Sequence, residues 1–160
     1  MKGIKHMTAL TDVYLGHNKF TEIVELENLP RLKYIQLGNN PMAPQFKCNL
    51  SNLRKLESLT LVGSELSEFP VEVLEIPNLK LLWLFENKIK KIPEEIGKLK
   101  FLENLNMSYN EIEHLPKSLF TLKNLKNCAF DSNKLTELAE EVENLKNLRT
   151  IHFFYNKFNP

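Results

Sequence analysis

The 160-residue chain is long enough for one domain with a buried core. Its 42% hydrophobic and 26% charged residues are ordinary for a folded soluble protein. Basic and acidic residues, 21 against 20, leave a net charge of +1, so no overall field draws the chain to nucleic acid or anionic membrane, and no apolar run approaches the ~20 residues of a membrane-spanning helix.

Residues 1–10 hold two lysines and no apolar stretch of the kind a secretory leader needs. Ile4 and Met7 stand where the last apolar positions of a preceding repeat would fall. From Leu10 onward the chain compares well with itself. The first full repeat runs Leu10, Val13, Leu15, Asn18, Phe20, Ile23, Leu26, Leu29 and spans 22 residues, Leu10 to Leu32. The second runs Leu32, Ile35, Leu37, Asn40, Met42 to Leu53 and spans 24, with its extra residue placed in the stretch 43–50 that holds Pro44 and Cys48. The third is Leu56, Leu59, Leu61, Ser64, Leu66, Phe69, Pro70, Val73, Ile76. The fourth is Leu79, Leu82, Leu84, Asn87, Ile89, Ile92, Pro93, Ile96, Leu99. The fifth and sixth start at Leu102 and Leu125, and a last partial repeat is Leu148, Ile151, Phe153, Asn156, Phe158. The sequence thus predicts one domain over residues 1–160, with six full repeats and partial repeats at both ends.

Within each repeat the first eight residues alternate apolar and polar with period two, the pattern of a half-buried strand. Stacked strands of this kind form a parallel sheet, and no single repeat buries its leucines without neighbours. The asparagine column (Asn18, Asn40, Asn87, Asn110, Asn133, Asn156) belongs inside the turn after each strand, where an amide satisfies backbone groups outside any regular ladder. Ser64 interrupts the column, and its shorter side chain should leave that turn less well tied. Pro70, Pro93 and Pro116 fix φ at the start of the return limb, which should hold short helical or extended turns.

The segments LKLLWLFENKIKKIPEEIGKLKF and LENLNMSYNEIEHLPKSLFTLKN fit LxxLxLxxNxLxxLPxxLxxLxx at almost every fixed position. The pattern resembles the leucine-rich-repeat family, in its 23-residue class with LP in mid-repeat, common in bacterial and intracellular signalling proteins. The resemblance covers the chain from end to end. It implies an α/β solenoid, a horseshoe with a concave parallel sheet and short helical or extended convex segments. It also implies a protein-interaction module that binds a protein or peptide on the concave face and, for a bacterial source, a role in host interaction. The alternative is the recognition domain of a larger enzyme, such as an effector ligase, with catalysis outside this chain.

Neither end shows the polar cap that repeat proteins carry. At the C-terminal side, towards Pro160, Ile151, Phe153 and Phe158 should face water beside an unpaired strand edge. Either the chain is part of a longer protein, or the edge is covered by a second copy in an end-to-end or swapped homodimer. Cys48 and Cys128 lie more than three repeats apart, too far for a disulfide at ~4.8 Å per strand.

Side chains between the core positions of each strand face outward. In the fourth repeat Leu81, Trp83 and Phe85 alternate with the core residues Leu82 and Leu84, so both faces are apolar. Val62 borders this strip on one side, Asn106 and Ser108 on the other. The only tryptophan, in mid-concavity beside a phenylalanine, has the character of a binding anchor. A second cluster comprises His152, Phe154 and Tyr155, with Tyr109 nearby, and a smaller one Tyr14 and Tyr34. The charged residues of this face alternate in sign, which opposes nucleic acid as a partner.

The sequence holds no Gly-rich phosphate loop, CxxC or HExxH. His6, His17, His114 and His152 are scattered; His17 and His152 share the concave side but lie roughly 29 Å apart at one strand spacing per repeat. Glu94–Glu95 and Glu140–Glu141 read as solvated residues of the return limb. Ser108 and Ser132 have no base in register. The chain is therefore predicted to be no enzyme and to carry no metal or cofactor.

Overall fold

A computed structural model describes residues 3–42, 46 and 48–159. Seven three-residue strands form one open parallel sheet in sequence order: β1 Asp12–Tyr14, β2 Tyr34–Gln36, β3 Ser58–Thr60, β4 Leu81–Trp83, β5 Asn104–Asn106, β6 Asn127–Ala129 and β7 Thr150–His152. The register is the one the repeat predicts: Val13 pairs with Ile35, then Leu59, Leu82, Leu105, Cys128 and Ile151. These mid-strand residues point into a core where all but the last are buried, and Ile151 is exposed on the outer strand. Leu37, Leu61, Leu84, Met107 and Phe130 form a second buried column. It ends in aromatic packing, Phe130 stacked on Phe153 at 5.8 Å and Phe153 edge-on to Phe158 at 5.5 Å.

The return limbs are short 3-10 turns, and the prolines set where they start. Pro70, Pro93 and Pro116, with φ of −72°, −71° and −70°, immediately precede turns at Val71–Glu75, Glu94–Lys98 and Lys117–Thr121. Each turn buries its central apolar residue: Val73, Ile96, Leu119. Part of the stretch expected to hold the second repeat's extra residue, 43–45 with Pro44 and 47, lies outside the described residues, as do 1–2 and Pro160. Phe46, Cys48 and Leu50 within that stretch are buried.

The asparagines tie each coil to the one before. Asn110 Nδ2 donates to Met107 O in its own turn and to Leu84 O of the preceding coil, both at 3.0 Å, while its Oδ1 accepts from Ile89 N–H at 2.9 Å. Asn40, Asn87, Asn133 and Asn156 repeat the arrangement. The residue before each asparagine is left-handed, with φ between 53° and 58° at His17, Asn39, Glu86, Tyr109, Ser132 and Tyr155. Few non-glycine residues hold this conformation without surrounding structure to enforce it, and the amide clamps provide that structure.

At Ser64 the clamp is shortened, as the sequence suggests. Among the described residues the Ser64 hydroxyl reaches Val62 O at 3.4 Å, and Met42 N–H, which an asparagine oxygen would have taken, is shared between Asn40 O at 2.8 Å and Ser64 O at 3.2 Å. The turn compensates in the backbone: Gly63 supplies the left-handed position and Glu65 adds another, with φ of 61°.

Both cysteines are free and buried. Burial pushes the Cys128 thiol up to about 12; burial first, and Glu27 second, push that of Cys48 up as well.

Candidate functional site on the exposed sheet face

Three outward columns run across the sheet. The first is Asp12, Tyr34, Ser58, Leu81, Asn104, Asn127, Thr150 and the central one Tyr14, Gln36, Thr60, Trp83, Asn106, Ala129, His152. The third, just past the strands, is Gly16, Gly38, Val62, Phe85, Ser108, Asp131, Phe154.

The apolar strip lies where the alternation puts it. Trp83 is 40% exposed and packs beside Phe85, ring centroids 6.2 Å apart and tilted by 59°. Leu81, Phe85 and Val62 are half-buried around it, and Thr60, next to Trp83 in its column, is buried. His152 and Phe154 meet edge to face at 5.9 Å, with Phe154 exposed.

Three polar side chains of this face serve the backbone. Asn106 Oδ1 accepts from Ser108 N–H at 3.0 Å, Ser108 Oγ from Asp131 N–H at 3.2 Å, and Asp131 Oδ1 from Phe154 N–H at 2.7 Å. Third-column amides have no strand partner, so side chains take them, from the same coil at Ser108 and from the preceding coil at Asp131 and Phe154. The second oxygen of Asp131 stands 3.6 Å from His152 Nδ1.

Trp83 and His152 are three strands apart, about 14 Å at the usual strand spacing, and the structure joins them through one hollow. A depression of about 180 Å³ is lined by Trp83, Asn104, Asn106, Asn127, Ala129, Thr150 and His152, together with Leu105 and Cys128 of the same strands. It exists because Ala129 is the smallest side chain of the central column. Asn104, Asn127 and Thr150 were not singled out from sequence; the small Ala129 between Asn106 and His152 was the available signal.

The tyrosines stand apart. Tyr109 is exposed in the left-handed turn column rather than on a strand, and Tyr14 and Tyr34 are exposed on neighbouring strands. Among the described residues none of the three makes a ring contact.

Charges flank the sheet in ion pairs between coils: Lys80 with Glu57 at 2.9 Å and Lys126 with Glu103 at 2.6 Å before the strands, Lys134 with Glu111 at 2.7 Å after the turns. Among the described residues no three His, Cys, Asp or Glu side chains gather as a metal site, and no helix is long and apolar enough to cross a membrane.

The model of the leucine-rich repeat region matches residues 72–158, more than half of the chain. Similar solved structures include internalin C2 from Listeria monocytogenes, with 24% identity, a TM-score of 0.88 and 99% of this chain covered. A leucine-rich-repeat protein of Leptospira interrogans shares 31% identity at a TM-score of 0.78, over 98% of this chain. The ectodomain of the Arabidopsis thaliana receptor kinase GASSHO1/SCHENGEN3, solved in complex with CASPARIAN STRIP INTEGRITY FACTOR 2, shares 26% at 0.79, also over 98%. The chain spans 68% of the internalin, 46% of the Leptospira protein and 20% of the receptor ectodomain. Among curated protein sequences nothing matches significantly.

Proposed function

The chain belongs to the leucine-rich-repeat family, whose members are typically protein-interaction modules, and from that premise we propose that its exposed sheet face binds a protein or peptide partner around Trp83. One observation carries the reading: Leu81 and Trp83 on β4 and Phe85 just past it make the outer face apolar while Leu82 and Leu84 fill the core beneath. An exposed indole beside a phenylalanine and a hollow, with polar residues around, is the composition of an interface centre and its rim. Val62 and Asn106 border the anchor, His152 and Phe154 extend the surface beyond the hollow, and Tyr14, Tyr34 and Tyr109 supply outlying contacts. Inter-coil ion pairing breaks up any basic stripe, which favours protein over nucleic acid.

The test is retention of proteins from a lysate of the source cells by the wild-type chain and by Trp83→Ala. Loss of a retained protein, with the circular dichroism spectrum unchanged, is the expected result. Equal retention by both chains rejects the site. A bacterial host-interaction protein is the narrower reading within this proposal. The alternative is recognition on behalf of an enzymatic domain outside this chain. The outer edge of β7, where Ile151 and Phe158 are exposed, supports a homodimer contact. Light scattering would then give twice 18.7 kDa, and a monomer mass removes it.

A further inference from the structure

We propose that the hollow between Trp83 and His152 is a socket for one tyrosine side chain of the partner, a refinement that rests on the partner-binding reading above. At about 180 Å³ it falls short of the roughly 300 Å³ at which small-molecule sites begin. Its size therefore suits a single side chain of a larger partner rather than a free metabolite. Its lining includes Trp83 and His152, which bring aromatic rings, and Ala129, which brings a methyl group, so the body of the guest is a ring.

The polar groups decide which ring. Asn127 Nδ2 donates to Asn104 Oδ1 at 2.7 Å, and Asn106 Oδ1 is taken by Ser108 N–H. Among the described residues this leaves Asn127 Oδ1 with no donor, and the Nδ2 groups of Asn104 and Asn106 with no acceptor. A phenylalanine would cover these amides and satisfy none of them, which costs their desolvation. A tryptophan could only donate. A phenol does both: its proton goes to Asn127 Oδ1, and its oxygen accepts from Asn104 or Asn106. No Asp, Glu, Lys or Arg lines the hollow, and Asp131 nearby is engaged by Phe154 N–H and His152, so the socket offers nothing to a charged guest.

p-Cresol and toluene, which differ by the one hydroxyl, are the probes. Each is titrated into the isotope-labelled intact chain, and the NMR signals of the Asn104 and Asn127 side-chain amides and of the Trp83 indole N–H are followed. p-Cresol should shift all three saturably and bind about tenfold more tightly than toluene, a ratio that corresponds to about 1.4 kcal/mol. The double variant Asn104→Ala with Asn127→Ala should bring the two probes to within about twofold of each other. Ala129→Leu should fill the socket and abolish both responses. Equal affinities in the wild type, a hydroxyl preference that survives the double variant, or no response to either probe would each overturn the tyrosine assignment. None of these outcomes touches the broader reading, which falls only if partner retention ignores Trp83→Ala.

Discussion

Two leucine-rich-repeat positions one strand apart should respond oppositely to truncation. Leu105 is buried in the middle of β5, so Leu105→Ala leaves a cavity and should cost ~2–5 kcal/mol, read from chemical denaturation. Trp83 is two-fifths exposed on the outer face, and Trp83→Ala should change stability by less than about 1 kcal/mol while removing partner binding. A large stability loss with binding intact would show that the indole is a packing residue. The side chains of this face were only half legible in the sequence. Period-two alternation identifies Leu81, Trp83 and Phe85 as outward, because register alone decides it. It does not reveal that Asn106 caps an amide of its own turn, nor that Ser108 and Asp131 are committed to amides of the next coil, bonds that join residues 23 apart in the chain. Nor does it reveal the hollow, which depends on what Ala129 lacks.

At the scale of the turn, the asparagine clamp and the left-handed residue before it form one device. The repeat makes the asparagines visible, whereas the left-handed positions carry side chains as unlike as His17, Glu86 and Tyr155 and leave no compositional trace. Gly63 is the exception, in the coil whose asparagine is replaced by Ser64. A methyl added there would meet Asn39 Oδ1 at 2.5 Å on a backbone with φ of +58°. Gly63→Ala should therefore cost at least about 1 kcal/mol, seen as a lowered melting temperature; an unchanged melt would show that the turn relaxes freely. The inter-coil ion pairs predict an acid-side effect. The Lys134 ammonium holds the Glu111 carboxyl below the usual carboxylate range. A depressed folded-state pKa adds stability that is present above the unfolded-state pKa and lost as pH falls through the folded one. Lys134→Met should flatten that part of the stability–pH curve, and high salt should reduce the effect in the wild type. An identical acid-side curve in the variant would remove Glu111 as a contributor.

Over the whole molecule, each coil is stabilised by its neighbours, so order should be graded along the sheet. β7 is paired on one side and all three of its residues are exposed, whereas β3 to β6 lie between two partners over the buried side chains of Leu59, Leu82, Leu105 and Cys128. Amide hydrogen exchange should accordingly be faster in β7 and in the turn at Glu140–Asn144 than in β4 or β5. Uniform protection from β3 to β7 would mean that the sheet opens as one unit. The placement of Trp83 has a consequence for observing all of this. As the only indole of the chain, it carries the whole tryptophan emission, and it already meets water in the native state. Unfolding should move that emission only modestly, so fluorescence is a poor gauge of folding here. A partner that covers the indole should shift it to shorter wavelength, and the protein thus contains its own optical reporter for docking.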